Sequence, residues 1–450
     1  AAAIINRVAV TENRLQKTLE KRPDPVPALY FIDDTGSMNP SNYGQYGWEL
    51  DSRGMPAGST PSQTQVLDTS ESERTAMLRT FAEQTSGKIV METNISFQSA
   101  DNGFYIILGK DEETQAMCFV TKNGTFHANE NGNLTDTGVA VGDYMTVKTI
   151  TDMDNKTNTL IIDGNFVGTY SFADPACKSV NTLMFSSDKE SLVVATPQKT
   201  KLYSGYALNE IFMSSSERDG MPYGWTLDGG ATAKIEAVAS NAYDSYSARI
   251  SSEAGQTSTL TASFDPITRK VVFEMKFYMP DYNDGTTFAL TSGGNEIVKI
   301  YTNGNAFYSG DGTLLRTYNG NVWQTLRIEA NTDTGVVTYS VNRKKLATGY
   351  FNVASFDGVK ITLPAEQATD ILIDDLFVFN TFDEQPDYVP EPEPVSSDDS
   401  IVGIEVCDIW RNGFQFGWDY TSAFDELYPY LGMYDEGSTE VADWEIKWLL

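Results

Sequence analysis

Residues 271–277 read Val271-Val272-Phe273-Glu274-Met275-Lys276-Phe277. Val271, Phe273, Met275 and Phe277 fall on one side of an extended chain, and Glu274 and Lys276 on the other. Successive side chains of a strand point to opposite faces, so this spelling predicts a strand with one buried and one polar face. The same period runs through 322–329, where Leu326 and Ile328 alternate with Arg327 and Glu329, and through 336–341, where Val337, Tyr339 and Val341 share a side. Asn123-Gly124, Asn303-Gly304 and Asp163-Gly164 supply tight-turn chemistry between such runs. Many short half-buried strands predict a mainly β fold of antiparallel two-sheet sandwiches.

The chain repeats itself in order. Tyr46-Gly47-Trp48-Glu49-Leu50-Asp51 returns as Tyr223-Gly224-Trp225-Thr226-Leu227-Asp228. Gly87-Lys88-Ile89-Val90-Met91-Glu92 aligns with Arg269-Lys270-Val271-Val272-Phe273-Glu274, and Leu78 with Leu260. Asp152-Met153-Asp154 before Leu160–Asp163 answers Asn331-Thr332-Asp333 before Tyr339–Asn342. Leu208-Asn209-Glu210-Ile211-Phe212 is matched to Ile373-Asp374-Asp375-Leu376-Phe377. A period this long means duplicated domains, since solenoid units run to about 20–50 residues. The expected division is a lead-in at 1–27, one sandwich at 28–213, a second at 214–380, a linker at 381–400 and a last segment at 401–450.

Composition narrows the partners. The 450 residues carry 32 Lys and Arg against 62 Asp and Glu, a formal charge of −30. Such a surface repels phosphate backbones, which excludes nucleic acid as a partner and suits neutral sugars or calcium. Cys118, Cys177 and Cys407 lie far apart, without the spacing of a zinc site or a disulfide framework. His127 is the single histidine and sits in the polar stretch NGTFHANENGN, read as an exposed loop. No run of 18 apolar residues exists to span a membrane.

Ala28-Leu29-Tyr30-Phe31-Ile32 ends in Asp33-Asp34-Thr35-Gly36-Ser37, the D-x-T-G-S spelling of a metal-dependent adhesion site. Residues 39–61 are rich in Pro and Gly, without a helical period, and the duplicate lacks the motif. The stretch is therefore read as an edge strand opening the first sandwich, with a turn after it. Residues 4–24 predict a short helix with Thr11 as N-cap and Leu15 and Leu19 on one face, stopped by Pro23. Residues 381–399 shift to Pro, acid and Ser, an extended self-repelling linker. IVGIEVCDIW (401–410) predicts a strand buried in a parallel sheet. TEVADWEIKWLL (439–450) predicts a helix capped by Thr439, with Val441, Trp444 and Trp448 on its apolar face.

Residues 28–380 resemble concanavalin A-like or laminin G-like jelly rolls. The likeness rests on the paired Gly-Trp sites, Lys88 and Lys270 before V-x-x-E strands, Tyr144 and Trp323 entering a strand, and the acid pairs Asn209-Glu210 and Asp374-Asp375. The second copy departs at Asn342-Arg343, where the first has Asp163-Gly164. Trp410-Arg411-Asn412-Gly413, Gly417-Trp418-Asp419, Tyr430–Gly437 and Ala442–Trp448 resemble the opening of glycoside hydrolase family 99-like barrels. That resemblance implies a (β/α)8 barrel beginning at 401, an enzyme acting on polysaccharide, and catalytic carboxylates beyond residue 450. The fragment itself is expected to be catalytically silent.

Candidate sugar-stacking residues are Trp410, Arg411, Trp418, Tyr420 and Tyr430 on the barrel rim, and Tyr301 and Tyr308 beside the Asn303-Gly304 turn. Core packing is the competing reading for each aromatic, and for the recurrent Trp48 and Trp225. Asp374 and Asp375 can hold a structural calcium; solvated acids are the alternative. Two functions remain: the accessory region of a secreted, monomeric polysaccharide hydrolase, or a non-catalytic surface or adhesion protein binding glycans or proteins through its sandwiches.

Overall fold

The computed structural model describes residues 28–34, 47–51, 66–68, 76–111, 113–188, 193–238, 246–279, 282–318, 320–381, 401–410, 413–420, 428–431 and 446–449. The helix expected at 4–24 and the linker beyond residue 381 lie outside these residues. The chain divides into two compact units, Ala1–Tyr388 and Val389–Leu450. Among the described residues all regular structure is strand and every strand pairing is antiparallel.

Among the described residues the first unit holds four sheets. Sheet A runs Ala28–Asp34, Val193–Ser204, Lys88–Ser99, Tyr144–Asp152, Thr157–Ile162, Asn165–Ser171, with Val66–Asp68 beside Val193–Ser204. Sheet B runs Trp48–Asp51, Ala76–Gln84, Val180–Ser187, Phe104–Gly109, Gln115–Lys122, Thr125–Glu130, Asn133–Ala140. Between them lies one apolar cluster that includes Phe31, Met91 and Val147 of sheet A and Trp48, Phe104 and Phe185 of sheet B. Trp48 is a core residue, packed on Phe31 and Phe185 at ring distances of 5.7 and 6.1 Å.

Sheet D of the second sandwich repeats sheet B strand for strand: Trp225–Asp228, Ser258–Ile267, Phe356–Leu363, Thr287–Ser292, Asn295–Asn303, Ala306–Ser309, Leu314–Thr317. Sheet C repeats the centre of sheet A, with Thr369–Thr381, Lys270–Tyr278, Gln324–Asn331, Val336–Val341 and Lys344–Tyr350 in order. Val271, Phe273, Met275 and Phe277 are all fully buried in the second core, as their alternation requires. Ala28–Asp34 is a strand at the edge of sheet A, as its sequence predicts.

One assigned repeat is corrected by register. Leu208-Asn209-Glu210 is not the counterpart of Ile373–Phe377 but its neighbour: Leu208, Asn209 and Glu210 pair with Val378, Phe377 and Leu376. The strand Tyr206–Glu210 lies beside Thr369–Thr381 as Ala28–Asp34 lies beside Val193–Ser204, and each carries a register shift at its start. It is the lead strand of the second sandwich, and the closing strands Val193–Ser204 and Thr369–Thr381 are the true equivalents. Asn342-Arg343 also proves to be a counterpart of Asp163-Gly164 in conformation. All four residues have positive φ, at 49°, 60°, 47° and 73°. Asp163 and Asn342 accept from the backbone N–H of Thr146 and Thr325.

The second unit departs from the expected barrel opening. Ile401–Trp410 pairs antiparallel with Gly413–Tyr420, and Tyr428–Leu431 with Ile446–Leu449. The first pair is a hairpin, not a strand awaiting parallel neighbours. Its physical signal is in the sequence: Phe414, Phe416, Trp418 and Tyr420 alternate with Gln415, Gly417 and Asp419, the period of an antiparallel strand. Ile446–Leu449 is likewise a strand where the sequence predicts a helix over 439–450; the rest of that stretch lies outside the described residues.

Candidate functional site

Inward side chains of sheet D build the second core, so the intervening residues form its outer face. Strand pairing aligns one row of them across the whole sheet. Asp228 pairs with Thr259, Thr259 with Thr362, Thr362 with Thr287, Thr287 with Tyr301, Tyr301 with Tyr308, and Tyr308 with Leu314. Seven strands at about 4.8 Å spacing make a row of about 29 Å. A second row carries Thr226, Thr261, Lys360, Ala289 and Lys299.

Tyr301 and Tyr308 are brought together as expected. Their rings stack at 5.6 Å with an interplanar angle of 21°. Both are half-buried, and among the described residues neither phenol has a hydrogen-bond partner. Beside them Leu314 is 54% exposed. Ser309 closes the neighbouring hairpin by donating to Asp311 at 2.6 Å. The two lysines of the face share one carboxylate. Glu296 lies 3.1 Å from Lys299 and 3.4 Å from Lys360, and accepts from Thr362 at 3.3 Å. Burial pushes the Glu296 carboxyl up, but these two ammonium groups outweigh it and hold it below the usual glutamate range. The face therefore combines two unpartnered phenols in a stacked aromatic pair, threonine hydroxyls of which Thr362 and Thr287 donate to Glu296 and the Gly285 carbonyl, and an apolar rim.

The first sandwich has the same register but other chemistry. Val120 and His127 stand where Tyr301 and Tyr308 do, and Cys118, Met184, Leu78 and Ala76 replace Lys299, Lys360, Thr261 and Thr259. Ala76, Ile107, Cys118 and Met184 form a small buried apolar cluster. His127 sits on the strand Thr125–Glu130, half-buried, rather than in an exposed loop.

The remaining candidate residues do not converge. Trp410 pairs with Gly413 at the turn end of its hairpin, whereas Trp418 pairs with Ile404 and Tyr420 with Ile401. Six residues of strand, about 20 Å, separate the levels of Trp410 and Trp418. Tyr430 belongs to the other two-stranded sheet, opposite Lys447, and Arg411 lies outside the described residues. Asp374 and Asp375 are buried, but Asp375 faces the Lys276 ammonium at 3.1 Å and Asp374 accepts from Ser247 at 3.2 Å. Calcium requires about six to eight oxygen ligands. Two carboxylates with an ammonium between the strands do not fit it. Among the described residues no group of three or more His, Cys, Asp or Glu side chains is placed to hold a metal, and no helix is long and apolar enough to cross a membrane.

No family model matches the chain, and no curated protein matches it. Similar solved structures include a sialidase, at 8% identity and a TM-score of 0.31, covering 62% of this chain and 32% of the sialidase. The chain thus spans about a third of that protein's length. Cellulose induced protein Cip1 is similar at 12% identity and a TM-score of 0.31 over 39% of this chain and 97% of its own. The Emp47p carbohydrate recognition domain is similar at 14% identity and 0.28, over 39% and 96%.

Proposed function

We propose that the chain binds a neutral glycan on the outer face of sheet D. The observation that carries this is the stacked Tyr301–Tyr308 pair, in register with Thr287, Thr362 and Thr259. A sugar ring offers C–H groups on its faces and hydroxyls at its edges. Aromatic rings take the first, and unpartnered phenols and threonine hydroxyls exchange hydrogen bonds with the second. The formal charge of −30 disfavours anionic polymers. The ligand face is assigned to the second sandwich because Val120 and Ala76, both buried, stand in the first where Tyr301 and Thr259 stand in the second.

The hydrolase context rested on a barrel opening at 401, and antiparallel hairpins there remove that support. Glycan recognition stands apart from it. A glycan array probed with the 450-residue chain, alongside a Tyr301→Ala/Tyr308→Ala variant, tests the reading. Neutral glycans bound by the first and lost by the second support it. An array silent for both reduces the sandwiches to spacers.

A further inference from the structure

The closing strand of the first sandwich ends at Ser204, and the lead strand of the second begins at Tyr206. One residue, Gly205 with φ 75°, joins them. A connection this short has no slack of its own.

The lead strand also docks edge-on to sheet A. The backbone oxygen of Asn209 accepts from the Tyr203 hydroxyl at 3.2 Å and from the Lys201 ammonium at 3.4 Å. Beside it, Lys148 lies 3.1 Å from Glu92 of its own sheet and 3.7 Å from Glu210 of the lead strand. Fully buried Lys201 lies 3.8 Å from the same Glu92, which accepts from Tyr203 at 2.9 Å. Glu210 in turn accepts from the N–H of Phe212, whose ring is fully buried in the second core. A charge that meets one sandwich and a core residue of the other are thus fixed two residues apart.

Three further contacts surround this centre. Asn94 donates to the backbone oxygen of Ser214 at 3.0 Å, and Arg218 to that of Asp163 at 2.6 Å. Phe166 stacks on Tyr223 at 5.2 Å. The second sandwich meets the matching demand within itself. Arg327, at the position of Lys148, pairs with Glu274 and Glu329, both from sheet C.

We infer that the two sandwiches form one rigid body, with Glu210 as the pin that seats the second on the first. Buried ion pairs contribute little net stability, yet a buried charge tolerates only the arrangement that pairs it, which is how such groups fix a register. The pin therefore sets orientation more than affinity.

The test is pulsed dipolar spectroscopy on the full chain, with spin labels on encoded non-natural residues at exposed Asn133 and Asn295. The wild type is expected to give a single narrow distance. Glu210→Ala combined with Arg218→Ala should lose that single distance, while Lys88→Ala, which removes only the exposed pair to Asp265, should keep it. A broad wild-type distribution overturns the inference, whatever the variants do. So does a double variant as narrow as wild type. Glycan binding plays no part in the readout.

Discussion

Replacing Gly164 by alanine separates backbone strain from contact across the sandwich boundary. Gly164 and Gly124 both hold left-handed turn positions, with φ of 73° and 75°. A Cβ there costs about 1–2 kcal/mol at either site. The surroundings differ. A Cβ on Gly124 meets nothing nearer than Asp101 Oδ1 at 3.9 Å, whereas on Gly164 it would fall within the Arg218 guanidinium, 2.5 Å from its Cζ. The guanidinium must leave, and its 2.6 Å hydrogen bond to the Asp163 carbonyl goes with it. A hydrogen bond from a charged donor contributes about 1.5–3 kcal/mol. Gly164→Ala should therefore destabilise by about 1.5–3 kcal/mol more than Gly124→Ala. Urea unfolding of both variants, repeated in an Arg218→Ala background, reads this as a double-mutant cycle. The excess should vanish when Arg218 is gone. Equal costs in the native background, or an excess that survives without Arg218, refute the reasoning. The same contact explains why the first copy spells its turn with Gly while the second manages with Asn342-Arg343.

Named contacts carry three other expectations. Phe212→Ala removes a fully buried ring from the second core and should lower stability by about 3–5 kcal/mol in denaturant unfolding. Burial pushes the Glu92 carboxyl up, but Lys148, Lys201 and the Tyr203 phenol outweigh it and hold it below the glutamate range. A lowered folded pKa gives stability that is present above the unfolded value, about 4.3, and lost as pH falls through the folded one. The stability gap between wild type and Glu92→Gln should thus be largest near neutrality and shrink below about pH 4, measured as unfolding midpoints across that range. Millimolar calcium or a chelator should leave the unfolding midpoint unchanged, because Lys276 already neutralises Asp375; a shift of several degrees would restore calcium to that site.

The fold is legible where alternation is dense. Residues 271–277 announce both the strand and its buried face, and the paired Gly-Trp sites announce the duplication. The lead strand is not legible, because Leu29–Asp33 and Tyr206–Glu210 share a register but almost no letters. Its true position shows only in which strand it pairs. At 413–420 the period-two signal is present, but the same aromatics also suit sugar platforms on a barrel rim, and the letters alone do not separate the two. The tyrosine pair can be picked out because Asn303-Gly304 lies between its two strands. The threonine row cannot: Thr259, Thr287 and Thr362 come from strands far apart in sequence, and only sheet order sets them side by side.

The most direct test of glycan recognition is isothermal titration of a glycan selected on the array against wild type, Tyr301→Ala and, as the equivalent site of the first sandwich, His127→Ala. Loss of a central aromatic contact is expected to weaken binding by about 2 kcal/mol, roughly thirtyfold, for Tyr301→Ala, with His127→Ala indistinguishable from wild type. Unchanged affinity in Tyr301→Ala, or a loss confined to His127→Ala, would place the binding face elsewhere and contradict the account.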